Sequence, residues 1–326
     1  TSDNDQTKLY GFGGTLRWNL DWAELISVSS YSHQTKRQSL DVDSGPAPQF
    51  IVMNQSEFDW FSQELRLEGE TDRFRWITGA YYLNIDGKYA QGLADTLGGI
   101  NIFGGLFFGP VFNDTNGDGT GLPLNIITGE VGPTAGGDTF LEGTLNAELE
   151  TNSYSIFGQI DYDLTDQLTF NLGFRGIIEE KDYSYTSRLY NNVRDSRTDG
   201  ALFGGGTALP IIFNPTAPLE FLAPFQDKTS DFLWSGKVQL NYAFSDDLLL
   251  YGGVNRGVKA GSFNAPLLTN LAQEDYGYDE EILLSYEIGF KSTILDGKAR
   301  LNMSAYYYDY TDYQGFQFVG TSGAVF

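Results

Sequence analysis

The chain has 326 residues, 15% of them aromatic and 39 of them glycine, with a formal net charge of -23. Strand and turn formers at that density favour β structure over helix, and so negative a charge repels nucleic-acid phosphates while suiting a surface that meets divalent cations. Cysteine is absent and His33 is the single histidine; disulfides, thiolate sites and cysteine nucleophiles are excluded, and any Ser-His-Asp triad or multi-histidine metal centre would rest on one ring.

No apolar run approaches the ~18 residues of a transmembrane helix; the aliphatic stretches are as short as Leu248 to Leu250. A membrane crossing would therefore be made by strands. In chain order, period-two alternation marks Tyr10 to Trp18, the less regular Trp22 to Tyr31, Phe61 to Leu67, Phe74 to Tyr82 and Tyr154 to Tyr162. It continues through Leu168 to Gly176, Phe232 to Phe244, Leu248 to Val254, Ile282 to Phe290 and Leu301 to Tyr307. The clearest segment sets Leu168, Phe170, Leu172, Phe174 and Gly176 against Thr169, Asn171 and Arg175, one face greasy and the other wet. Leu172 is then expected to face lipid, and Asn171 and Gly173 the lumen. Each segment approximates the ~9 to 11 residues that a tilted strand needs to cross a bilayer.

The connections alternate between short and long. Asn19 to Asp21, Gly69 to Asp72, Asp163 to Gln167, Ser245 to Asp247 and Thr293 to Lys298 are tight polar turns, whereas 33–57, 84–152, 179–231 and 257–281 are expected to be long loops. Outer-membrane barrels sort short turns to the periplasm and long loops to the outside. His33 is expected to be a polar residue leading into the first long loop. Trp18, Trp22, Phe74, Trp76, Tyr162, Tyr242 and Phe244 lie near the short turns, and Tyr10, Trp60, Tyr82, Tyr154, Phe174, Trp234 and Tyr307 nearer the long loops, as two interfacial aromatic girdles would require.

Several phrases resemble the barrel of TonB-dependent outer-membrane receptors. They are Phe61-Ser62-Gln63-Glu64-Leu65-Arg66-Leu67, Phe157-Gly158-Gln159 with Asp163-Leu164-Thr165-Asp166, and Leu172-Gly173-Phe174-Arg175. The most specific runs from Leu250-Tyr251 through Arg256-Gly257 and Lys259-Ala260-Gly261 to Phe263-Asn264. It is followed in family order by Ser285 to Lys291, Asp296-Gly297-Lys298 and Tyr306 to Tyr310. The resemblance implies an all-β, antiparallel transmembrane β-barrel fragment, about half of a 22-stranded barrel. It also implies import of a scarce ligand, commonly an iron-siderophore complex, with energy relayed by TonB, in the bacterial outer membrane. The family's plug domain, TonB box and last strands have no counterpart in residues 1–326, so the expected unit is a partial barrel without a plug.

Candidate sites lie mainly in the loops. Asp114, Asn116, Asp118 and Gly119 reproduce the first half of a calcium loop, with Asn125 where the bidentate acid usually stands; a weak Ca2+ site and a plain glycine-rich turn both fit. Phe103, Phe107 and Phe108 could contact an apolar ligand at the barrel mouth or pack loop on loop. Arg256 and Lys259, at a strand-loop border, could attract an anionic ligand or pair with the chain's own acids. No phosphate-binding signature is present, no cofactor is required, and with one histidine an enzyme is not expected. The expected partners are outer-membrane lipid, TonB and a small ligand such as a siderophore; the alternative is a passive porin.

Overall fold

The computed structural model of the protein describes residues 4–41, 50–95, 139–193, 205–208, 224–265, 276–315, 317–318 and 324–325. All regular structure among them is strand: β1 (Asn4–Asn19), β2 (Glu24–Asp41), β3 (Phe50–Glu70), β4 (Phe74–Asp95), β5 (Thr139–Asp163), β6 (Leu168–Val193), β7 (Gly205–Ala208), β8 (Phe225–Ser245), β9 (Leu248–Lys259), β10 (Ser262–Phe263), β11 (Gly277–Tyr278), β12 (Glu281–Ile294), β13 (Ala299–Thr311), β14 (Gln317–Phe318) and β15 (Ala324–Val325). One antiparallel sheet runs β1-β2-β3-β4-β5-β6-β8-β9-β12-β13, with β7 on the end of β6. The sheet is an open arc, with β1 and β13 at its two ends. The ten long strands coincide with the ten alternating segments of the sequence.

Register lines every second residue up on one face. Leu65, Ala80, Ile156, Gly176 and Trp234 form a continuous row across β3, β4, β5, β6 and β8. The neighbouring row on the opposite face reads Arg66, Gly79, Phe157, Arg175 and Ser235. Exposure assigns the faces. Ile156 is 68% exposed whereas Ser155 beside it is only 5% exposed, the inverse of a soluble sheet. The apolar face is the convex one that meets lipid, and the polar face lines the lumen. Leu172 is convex and Asn171 concave, as the alternation requires.

The short turns lie where the sequence places them. Between β12 and β13 the chain reverses through three successive left-handed residues, Leu295 (φ 58°), Asp296 (φ 52°) and Gly297 (φ 83°), closed by the Lys298 N–H donating to the Leu295 carbonyl at 3.1 Å. Left-handed Asp296 and Gly297 at the two central positions of that bond are what a primed turn requires. Gly297→Ala puts a Cβ into a left-handed position and is expected to cost about 1 kcal/mol, read as a lower urea midpoint at unchanged slope. A second glycine is required by close approach: a Cβ on Gly289 would lie 2.6 Å from the Tyr251 hydroxyl, which donates to Glu287 at 2.8 Å. The ring lies across the glycine and is held against the inner wall.

The strands run well past the alternating segments. β5 has 25 residues and β6 has 26, so residues 33–41, 50–57, 84–95, 139–152, 179–193 and 225–231, expected in loops, are strand. The physical reason is that alternation records lipid on one face; above the bilayer both faces are wet, and the pattern fades while the ladder continues. On the convex face of β6 the apolar band ends at Ile178, followed by Glu180 and Asp182. His33 is accordingly a mid-strand residue of β2 and not the start of a loop. Trp60, expected in the outer girdle, pairs with Ser32 and Ile85 on the concave face and stacks on Phe58 at 5.8 Å. Tyr82 and Tyr154, stacked at 5.0 Å, carry the girdle at that level.

Candidate functional site at the mouth of the lumen

Above Ile178 the concave face changes character. Tyr183 and Tyr185 of β6 stand opposite Leu149 and Ala147 of β5, and Phe225 of β8 pairs with Tyr185. The connection from β9 to β12 turns towards this wall: β10 pairs with β11 to form a small hairpin separate from the main sheet. Phe263 of that hairpin stacks on Tyr183 with centroids 4.7 Å apart and planes within 3°. Tyr276 meets Phe225 edge-on at 5.0 Å and Tyr185 at 5.7 Å. Leu145, Ala147, Tyr183, Tyr185 and Tyr276 are buried together, with Phe263 and Ala265 packed against them. Offset and edge-to-face contacts are the favourable aromatic geometries, so the cluster is held by ring placement as well as burial.

Hydrogen bonds fix the hairpin to the wall. The Tyr183 hydroxyl donates to the Asn264 carbonyl at 2.9 Å, and the Asn264 N–H donates to the Tyr276 carbonyl at 2.7 Å. Burial pushes the Tyr183 hydroxyl pKa up, so the donor keeps its proton throughout the ordinary pH range. The hairpin therefore forms an inward shelf against the β6 wall.

Below the shelf the lumen wall is polar and internally paired. Asn171 donates to Asp161 at 2.6 Å and accepts from Asn241 at 2.6 Å, and Asn241 accepts from Gln239 at 2.7 Å. Arg175 donates to Ser155 at 3.1 Å with its guanidinium 5.3 Å above the Tyr81 ring, and Lys181 pairs with Glu179. At the periplasmic end, beyond the Tyr162 girdle, Arg75 grips Asp163 through two bonds of 2.7 and 2.9 Å. That guanidinium, helped by Thr169, holds the Asp163 carboxyl well below the usual carboxylate range, so the clamp persists as pH falls until the carboxyl takes up its proton. Such a surface offers solutes hydrogen-bonding groups of both kinds.

The residues singled out in sequence are distributed differently. Arg256 stands on the convex face, its guanidinium 4.1 Å above the Trp234 ring and bonded to the Trp234 carbonyl; its charge is directed at the girdle. Lys259 ends β9 opposite Glu281 on the concave side, next to the hairpin. Phe103, Phe107, Phe108, Asp114, Asn116 and Asp118 lie outside the described residues. What sequence reasoning missed is the shelf itself: Phe263 and Asn264 carried the family resemblance without a structural role. Tyr183-Ser184-Tyr185 is an alternating signal within a segment assigned to loop.

A family model described as TonB dependent receptor-like, beta-barrel, matches residues 1–326. Among solved structures, the ferric yersiniabactin uptake receptor FyuA from Yersinia pestis matches 95% of this chain and 36% of its own, at 15% identity and TM-score 0.57. The siderophore receptor PiuA from Acinetobacter baumannii matches 93% of this chain and 40% of its own, at 13% identity and TM-score 0.54. The ferric-catecholate import receptor Fiu from E. coli K12 matches 96% and 42%, at 13% identity and TM-score 0.50 in its open form. The chain thus spans about two fifths of the length of these structures, and the likeness is one of fold.

Proposed function

Because the chain belongs to the TonB dependent receptor-like β-barrel family, we propose that it forms part of the wall of an outer-membrane receptor that imports an iron-siderophore complex with TonB-relayed energy. Family membership over the whole chain carries this reading. Support for the ligand class comes from the structural likeness to FyuA, PiuA and Fiu, which are siderophore or ferric-catecholate receptors. A paired polar wall under an inward aromatic shelf suits a passage that admits a hydrated solute at the mouth and binds it only weakly further down. The rival passive porin has the same wall but needs no energy. The test is uptake of radiolabelled ferric siderophores by cells carrying the full-length gene product as their one outer-membrane receptor, with and without TonB. Saturable uptake that falls at least tenfold without TonB supports the proposal; uptake linear in concentration and unaffected by TonB loss overturns it in favour of the porin.

A further inference from the structure

The structure places the chain's single histidine beside two carboxylates on the convex face, at the upper margin of the aromatic girdle. His33 of β2 is paired in register with Asp59 of β3, and Glu57 is two residues further along the same face of β3. One donor atom from each of His33, Glu57 and Asp59 falls within a set mutually closer than 4.8 Å. His33 Nδ1 is 3.0 Å from Asp59 Oδ1. Two donors held ~2.1 Å from one zinc-sized ion, at angles between a right angle and the tetrahedral one, stand about 3.0 to 3.4 Å apart. The pair therefore already has the spacing of two neighbouring ligands, and a modest rotation of the flexible Glu57 side chain supplies the third.

The surroundings fit a cation. Tyr31 donates its hydroxyl to Asp59 Oδ1 at 2.5 Å, and the Tyr10 ring stacks on the imidazole at 4.9 Å. Both contacts fix the orientation of a ligand side chain, as outer partners of metal sites do. On β4, Asp86 stands opposite Asp59 and Lys88 opposite Glu57, so a further carboxylate lies beside the proposed ligands and Lys88 flanks Glu57. An imidazole with two carboxylates suits a divalent transition metal such as zinc better than calcium or magnesium, which take oxygen ligands.

We infer that His33, Glu57 and Asp59 form a divalent transition-metal site that clamps β2 to β3 where the barrel leaves the bilayer, with an open coordination position facing outward. Three protein ligands and one open position is a familiar zinc arrangement. The site is independent of the transported ligand, since it lies on the opposite face of the sheet from the lumen.

The test uses the full-length receptor in detergent, stripped with a chelator and titrated with zinc by calorimetry. The expected result is one zinc equivalent whose affinity falls at least tenfold in His33→Ala, Glu57→Gln and Asp59→Asn. His33→Asn keeps a hydrogen-bond donor towards Asp59 while removing the imidazole; it serves if His33→Ala does not fold, and it too should lose the equivalent. Cobalt substituted at the site should give a visible absorption band that disappears in His33→Asn. Absence of zinc binding by the unaltered receptor, or binding unchanged in His33→Asn, would overturn the assignment.

Discussion

Arginine at Leu172 is expected to lower the folding stability of the full-length receptor in lipid vesicles by about 2–4 kcal/mol, the penalty for a guanidinium on the lipid face near the bilayer midplane. The apolar band of β6 on the convex face runs from Leu168 to Ile178, and Leu172 lies near its centre with its side chain 40% exposed. The comparison is Gln159→Arg on neighbouring β5. Gln159 pairs with Gly173 on the concave face and is already open to the lumen, so an arginine there reaches water and should cost less than about 1 kcal/mol. Asn171, adjacent to Leu172, is a poorer control, because its amide is buried between Asp161 and Asn241 and its loss would leave those partners unsatisfied. Equal penalties at positions 172 and 159 would show that the faces are exchanged, since a slip of one residue reverses every side chain in a strand.

Removing the Tyr183 ring should free the mouth hairpin from the wall. Tyr183→Ala deletes a side chain only 2% exposed, together with its stack on Phe263 and its bond to the Asn264 carbonyl. The loss expected for a buried aromatic is about 3–5 kcal/mol. Tyr183→Phe keeps the ring and removes only the hydroxyl's bond to the Asn264 carbonyl, at about 1–2 kcal/mol. The measurement is hydrogen exchange at the Asn264 amide, whose protection should fall strongly in the alanine variant and modestly in the phenylalanine one. Because the hairpin is separate from the main sheet, global unfolding should move far less than this local opening. Unchanged protection in both variants would mean that the Tyr183 contacts do not hold the hairpin to the wall.

The part of this architecture legible in sequence is the part written by lipid. Leu168 to Gly176 declares its faces because one of them meets hydrocarbon, and Asp296-Gly297 declares its turn because its backbone conformation favours those two residues. Above the lipid band, Glu179, Glu180, Lys181 and Asp182 are polar on both faces, so period two carries no contrast there and returns only briefly at Tyr183 and Tyr185. Strand length and the position of His33 were therefore illegible. The shelf was illegible for a different reason: it joins Tyr183 to Phe263 across 79 intervening positions, and nothing local to either marks the other as its partner. Arg256 was expected at a strand-loop border but lies three residues inside the end of β9, and its stacking on Trp234 depends on which neighbour the register supplies.

The overhang of the strands has a consequence for how solutes arrive. From Ile178 to Val193, β6 continues for 15 residues beyond its lipid band, about 50 Å of extended chain; at the usual barrel tilt this rises roughly 35–40 Å above the hydrocarbon. Neighbouring β5 and β4 rise beside it in unbroken register. This side of the molecule is a parapet of continuous ladder taller than the ~30 Å hydrocarbon core is thick, and its rim stands clear of the layer in which lipid headgroups crowd a diffusing particle. A solute that enters over that rim has one side of its escape walled off while still far from the membrane. Shortening β5 and β6 in step would lower the parapet without altering a single residue of the transmembrane wall.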